Sequence, residues 1–94
     1  MNESEIACVH FRVRGHVQGV FFRASTEEMA RQLGISGWVR NDEYGDVVIV
    51  ACGTAVQLEA FEQWLELGPP AARVTDVQRT PATLQAFNGF EVRR

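Results

Sequence analysis

The residues with the most chemical potential in this chain lie in one stretch, Gly15-His16-Val17-Gln18-Gly19-Val20-Phe21-Phe22-Arg23. Two glycines bracket a short loop over 15–20, and an arginine follows on the first turn of a helical pattern. Backbone N–H groups released by a turn, a helix N-terminus and one fixed cation can converge there on a single point, an arrangement suited to a phosphate. The residues for other chemistries are missing. The pattern suggests no Ser-His-Asp or Cys-His pairing, no metal-ligand spacing and no carboxylate pair in a cleft-like place, and the lysine and Ser/Thr of a P-loop are absent. An enzyme built from this inventory must catalyse a reaction that needs little acid–base help.

The flanking segments have to position that loop. Ile6 to Arg14 alternates, with Ala7, Val9, Phe11 and Val13 on one face and Cys8, His10, Arg12 and Arg14 on the other, which reads as a half-buried strand. From Phe22 the period lengthens to that of a helix, with Phe22, Met29 or Ala30, and Leu33 on one face and Gly34 as a stop. Ile35–Asn41 and Asp46–Cys52 read as strands joined by Asp42-Glu43-Tyr44-Gly45, whose glycine takes the positive φ of a hairpin turn. Thr54 and Gln57 form a capping box ahead of a second helix with Leu58, Phe61 and Leu65 on its stripe, Trp64 beside it, and Gly68-Pro69-Pro70 ending it. Val74–Thr80 is a fourth strand, 81–88 a turn or loop, and Gly89–Arg93 a short last strand with Phe90 and Val92 inward. The order βαββαβ plus a short strand predicts an α+β, ferredoxin-like (split βαβ) domain: an antiparallel sheet with two helices on one face. The whole of 1–94 is expected to form one domain, with 1–5 disordered.

Two segments then carry a resemblance. The first is Gly15-x-Val17-Gln18-Gly19-Val20-x-Phe22-Arg23. The second is Gly37-Trp38-Val39-Arg40-Asn41, followed by Gly45-x-Val47 and Gly53. Both resemble the signature segments of the acylphosphatase family in spacing and residue type, and the closing Phe90-Glu91-Val92-Arg93 extends the likeness over roughly residues 6–94. The resemblance implies hydrolysis of the carboxylic–phosphoric anhydride of an acyl phosphate to a carboxylate and orthophosphate. It implies that Arg23 binds the phosphate with the backbone amides of Gly15, His16, Val17, Gln18, Gly19 and Val20. It also implies that Asn41 positions the attacking water and that no metal or organic cofactor takes part. The chemistry fits so spare a site, because a carboxylate leaves as a stable anion and phosphoryl transfer is mainly positioning and charge stabilisation.

The remaining polar residues read as structural. Arg12 and Arg14 are expected to be solvated, Asp42 and Glu43 to point to water, Gln18 to hydrogen-bond within its loop, and Val17, Val20 and Phe22 to pack beneath it. His16 reads as exposed, His10 as a sheet-face residue and Trp38 as packing. Cys8 and Cys52 fall on neighbouring strands, on the face away from the helices. A disulfide between them is sterically open, although a cytoplasmic setting disfavours one. Twelve acids against nine bases, a net charge of -3, argue against a general nucleic-acid partner. An RNA-recognition sheet also needs exposed aromatics, which Cys8, His10, Arg12, Arg14, Val48 and Val50 do not supply. With no apolar run of membrane length, the expectation is a cytoplasmic monomer acting on a small acyl phosphate. The alternative is a non-catalytic ferredoxin-like module that binds a small phosphorylated ligand such as carbamoyl phosphate; the length and absence of a linker favour a free-standing enzyme.

Overall fold

Strand alternation and helical stripes meet in one sheet with two helices on it. The computed structural model describes residues 5–94, so most of the stretch expected to be disordered, 1–4, lies outside the described residues. The elements are β1 (Ala7–His16), α1 (Phe22–Leu33), β2 (Ser36–Asn41), β3 (Val47–Gly53), α2 (Ala55–Leu67), β4 (Arg73–Pro81) and β5 (Phe90–Val92). The strands lie in the order β4-β1-β3-β2-β5. β3 is buried along its whole length because strands flank it on both edges. No helix among the described residues is long and apolar enough to cross a membrane.

Val9, Phe11 and Val13 of β1, Val39 of β2 and Val47, Ile49 and Ala51 of β3 face the helices, where they meet Phe22 and Ala30 of α1 and Leu58, Phe61 and Leu65 of α2. Phe61 is the hub: its ring lies edge-on to Phe11 and Phe90, at 6.0 and 6.2 Å, and stacks on Trp64. Thr26, the one polar residue buried as a whole among the described residues, donates its hydroxyl to the Phe22 carbonyl, so its burial leaves no unmet donor.

Two expectations are corrected. The sheet is mixed rather than antiparallel, because β5 runs parallel to β2. β4 sits on the opposite edge and runs against β1 and β2, so a chain that leaves β4, passes across the sheet at the same end and turns back upward lies along β2 in the same direction. Ala82 and Phe87 of this connection pack on Cys8, Val50 and Cys52 of the face without helices. The second correction concerns the loop. β1 continues to His16, so the connection to α1 is 17–21 rather than 15–20. A bulge between Arg14 and Gly15 shifts the register against β4, and a Cβ at Gly15 would collide with the Arg73 carbonyl. The glycine there is required by the neighbouring strand.

Cys8 and Cys52 stand directly opposite one another in the β1–β3 ladder and are joined as a disulfide, their Cα atoms 4.1 Å apart. The pairing that alternation left open is made in the structure.

Candidate active site

The 17–21 loop, α1, the end of β2 and Val92 of β5 converge around a cavity of about 310 Å³. Val17 and Phe22, almost fully buried, form its floor. Arg23 enters from the first turn of α1, and Gly19 from the loop before it. Asn41, the last residue of β2, shares the strand parity of the inward-facing Val39 and so turns to the helix side. Of the six loop residues expected at the phosphate, Val17 and Gly19 line the cavity, whereas Gly15, His16, Gln18 and Val20 do not. Gly15 and His16 pair with Val74 and Arg73 of β4. Gly19 takes φ +74 with open space on its Cβ side, a backbone conformation that suits glycine.

The two helix N-termini differ sharply. At α2 the Thr54 hydroxyl accepts from the Gln57 N–H, and the Gln57 side chain accepts from the Thr54 N–H. At α1 the N-cap is Phe21, which provides no side-chain cap, and no acid lies in the first turn. The N–H groups of that turn and its positive dipole end are therefore without a side-chain partner, an arrangement that favours an anion. Phe21 holds φ 60 and is the one non-glycine with positive φ among the described residues. Such a conformation costs a non-glycine residue roughly 1–3 kcal/mol, and the residue is 83% exposed.

The Arg23 guanidinium donates from Nη1 to the Arg93 carbonyl at 3.2 Å. The Arg93 N–H in turn donates to the Val39 carbonyl at 2.8 Å. The chain just beyond β5 therefore steadies the arginine, while most of its five N–H donors stay available. Asn41 Oδ1 is buried and accepts no hydrogen bond from a described group. A buried acceptor without a donor costs about 1–3 kcal/mol, so the fold carries an unpaired amide oxygen beside the cavity.

The turn after Asn41 departs from expectation. Asp42 does not point to water: its carboxylate is 7% exposed and pairs with Arg12 Nη1, which also reaches Asp46 at 2.8 Å. Arg14 lies 3.5 Å from the same Asp46 oxygen. Asp42 Oδ1 also accepts the N–H groups of Tyr44 and Asp46, both at 2.9 Å. Glu43 is exposed, as expected. Gln18 does not bond within its own loop; its Nε2 donates to the carbonyls of Asp42 and Asp46 at 3.1 and 2.9 Å. Two unpaired carboxylates would repel an anion bound nearby, but here two arginines of β1, Arg12 and Arg14, balance them, and Gln18 ties the 17–21 loop to the turn after Asn41. Neither link is local in sequence. The available signal was the pair of acids four residues apart, opposite two arginines on a neighbouring strand.

Burial alone would raise the Asp42 carboxyl, but the hydrogen bonds from Arg12 and from the Asp46 and Tyr44 amides, with the Arg12 charge, outweigh it and hold it below its ordinary 3.8. A lowered folded value means stability that is fully present above about pH 3.8 and lost as pH falls through the folded value. Asp42→Asn is therefore expected to lose about 1–3 kcal/mol at pH 7, with Tm falling roughly 4–8 °C for each kcal/mol. Thermal melts from pH 7 down past 3.8 should show the gap to the wild type closing at the acid end. A gap that holds across the series would mean the charge is not what Asp42 contributes.

On the open face of the sheet, His10 is held below its ordinary value by burial first, then by the charges of Arg12 and Arg40. Trp38 is half-buried there under the guanidinium groups of Arg93 and Arg40, 5.0 and 5.7 Å from its ring centre, a packing role. His16 is exposed.

A family model described as Acylphosphatase matches residues 9–92. A Pseudomonas paraeruginosa protein named acylphosphatase is 48% identical over 87 residues, 93% of this chain and 96% of the relative. The solved structure of an acylphosphatase from Coxiella burnetii superposes with a TM-score of 0.92 at 39% identity, covering 99% of this chain and all of the other. That of acylphosphatase from Bacillus subtilis gives 0.90 at 31% identity, covering 96% of this chain and all of the other.

Proposed function

The chain belongs to the acylphosphatase family, and from that premise we propose how it hydrolyses an acyl phosphate. Arg23 and the N–H groups at the start of α1, with those of the loop ahead of it, hold the non-bridging phosphate oxygens. Asn41 orients the water. One observation carries this reading: Arg23 and Asn41, on different elements, line one cavity at a helix N-terminus that has no side-chain cap.

The water oxygen forms a bond to phosphorus as the phosphorus–oxygen bond to the acyl group breaks, and the electron pair leaves with the carboxylate. That anion needs no proton from the enzyme. The proton of the attacking water passes to a phosphate oxygen, since an amide is no strong base. Charge-assisted hydrogen bonds from the guanidinium and the backbone are worth about 1.5–3 kcal/mol each, and a bidentate arginine contact fixes orientation as well. The Asn41 amide has an oxygen to accept a water proton and an NH₂ to donate; the unpaired Oδ1 is consistent with such a partner. Asp42 and Asp46, balanced by Arg12 and Arg14, put less repulsion on a bound phosphate than two free carboxylates would. The same reading takes the enzyme as a cytoplasmic monomer that uses no metal or organic cofactor. The alternative of a non-catalytic binding module is set aside, because the family and its named relatives are acylphosphatases.

The test is hydrolysis of benzoyl phosphate with excess EDTA present. Turnover is expected to be unchanged by the chelator. Loss of turnover, restored by a divalent cation, would overturn the metal-free mechanism.

A further inference from the structure

The cavity is lined by more than a phosphate requires. At about 310 Å³ it holds roughly ten waters' worth of liquid volume, well beyond what a phosphoryl group fills. Its lining divides by burial. Val17 and Phe22 lie beneath, at 1% and 2% exposure, while Phe21 and Val92 stand at the rim at 83% and 37%. Ala24, also exposed, adds to that apolar rim.

Phe21 is the least economical residue in the fold. It sits in the left-handed region, where glycine or asparagine is at ease and an aromatic residue is strained. Burial gives nothing back for that strain, because the residue lies largely in solvent. It caps no helix N–H with its side chain. The fold is served better by glycine at this position, so the ring is retained for something outside the fold. Phe21, two residues before Arg23, lines the same cavity as Val92 of β5.

Resting on the assignment of the phosphate to Arg23, we propose that Phe21 is a specificity-determining residue. With Val92, its ring forms an apolar acyl subsite that favours acyl phosphates bearing an aromatic or bulky apolar acyl group over small ones. Such a group lies against the Phe21 ring while its phosphate occupies the polar end. Aromatic contacts add to simple area burial, and discrimination of this kind appears in kcat/KM.

The experiment compares kcat/KM for benzoyl phosphate and acetyl phosphate in the wild type, Phe21→Gly and Phe21→Leu, with inhibition by inorganic phosphate measured alongside. Phe21→Gly suits the backbone and relieves strain, so it folds at least as well as the wild type. The benzoyl-to-acetyl ratio is expected to exceed one in the wild type and to fall about 5–20-fold in Phe21→Gly. Phe21→Leu should fall between the two. An unchanged ratio in Phe21→Gly, with both substrates still hydrolysed and phosphate still inhibiting, would overturn the subsite and leave the phosphate assignment standing. Wild-type enzyme that inorganic phosphate does not inhibit would instead strike at the phosphate assignment itself.

Discussion

Arg23→Ala is expected to lower kcat/KM for acyl phosphates by roughly 10²–10⁴-fold. That range is two charge-assisted hydrogen bonds at about 1.5–3 kcal/mol each, converted at about 1.4 kcal/mol per tenfold. The loss should be mainly one of binding, so inorganic phosphate should also inhibit far more weakly. Arg23→Lys should recover little, because an ammonium is a point charge and cannot offer two parallel N–H bonds. Lysine also lacks the planar fork that lets Arg23 bond the Arg93 carbonyl while presenting other donors to a ligand. Steady-state kinetics with phosphate as inhibitor check both variants, and wild-type phosphate inhibition in Arg23→Ala would remove the arginine from the site. The exposed setting of the Arg23–Arg93 bond makes a folding defect in the variant unexpected, so circular dichroism and Tm should match the wild type.

Asn41→Ala is expected to act on the other half of the reaction. Its kcat should fall by roughly 10²–10³-fold, the scale seen when one oriented hydrogen-bonding group is removed from a transition state. Phosphate inhibition should stay close to that of the wild type, because the phosphate donors are untouched. Removing a buried, unpaired oxygen also takes away a cost of the folded state, so Tm should hold or rise slightly. Reduced activity with unchanged or higher stability is the signature of a group kept for function. A large rise in KM with kcat preserved would instead make Asn41 a binding residue. Asn41→Asp should be at least as slow, since it sets a second negative charge beside the phosphate.

The parts of the fold visible in the chain were those written in local rules. The Thr54/Gln57 box, the Leu58–Phe61–Leu65 stripe and the alternation of β1 each depend on neighbours within a few residues, and each appears as expected. The parallel placement of β5 did not follow from any local rule, because the crossing at 82–89 depends on which edge of the sheet is free. Gly15 looked like a residue of the anion loop, yet its need for glycine comes from Arg73, far along the chain.

The same division runs through the site. The residues of the loop and Arg23 point to an anion, and the resemblance of two short segments to the acylphosphatase signatures is what singles out Asn41 beside Arg23 and implies the chemistry. Their surroundings were decided by strand pairing. Only the pairing of β1 with β3 sets Arg12 beside the hairpin turn, where it holds Asp42 and Asp46. Only the approach of the 17–21 loop to that turn lets Gln18 bridge the two segments. The strained, exposed ring of Phe21 was invisible for the same reason: a φ of 60 follows from how β1 must turn into α1 above the core. Residue identity is enough to name the reagents, because a side chain's chemistry is local. The tertiary structure decided their charge balance, rigidity and rim, because those arise from contacts between residues far apart in the chain.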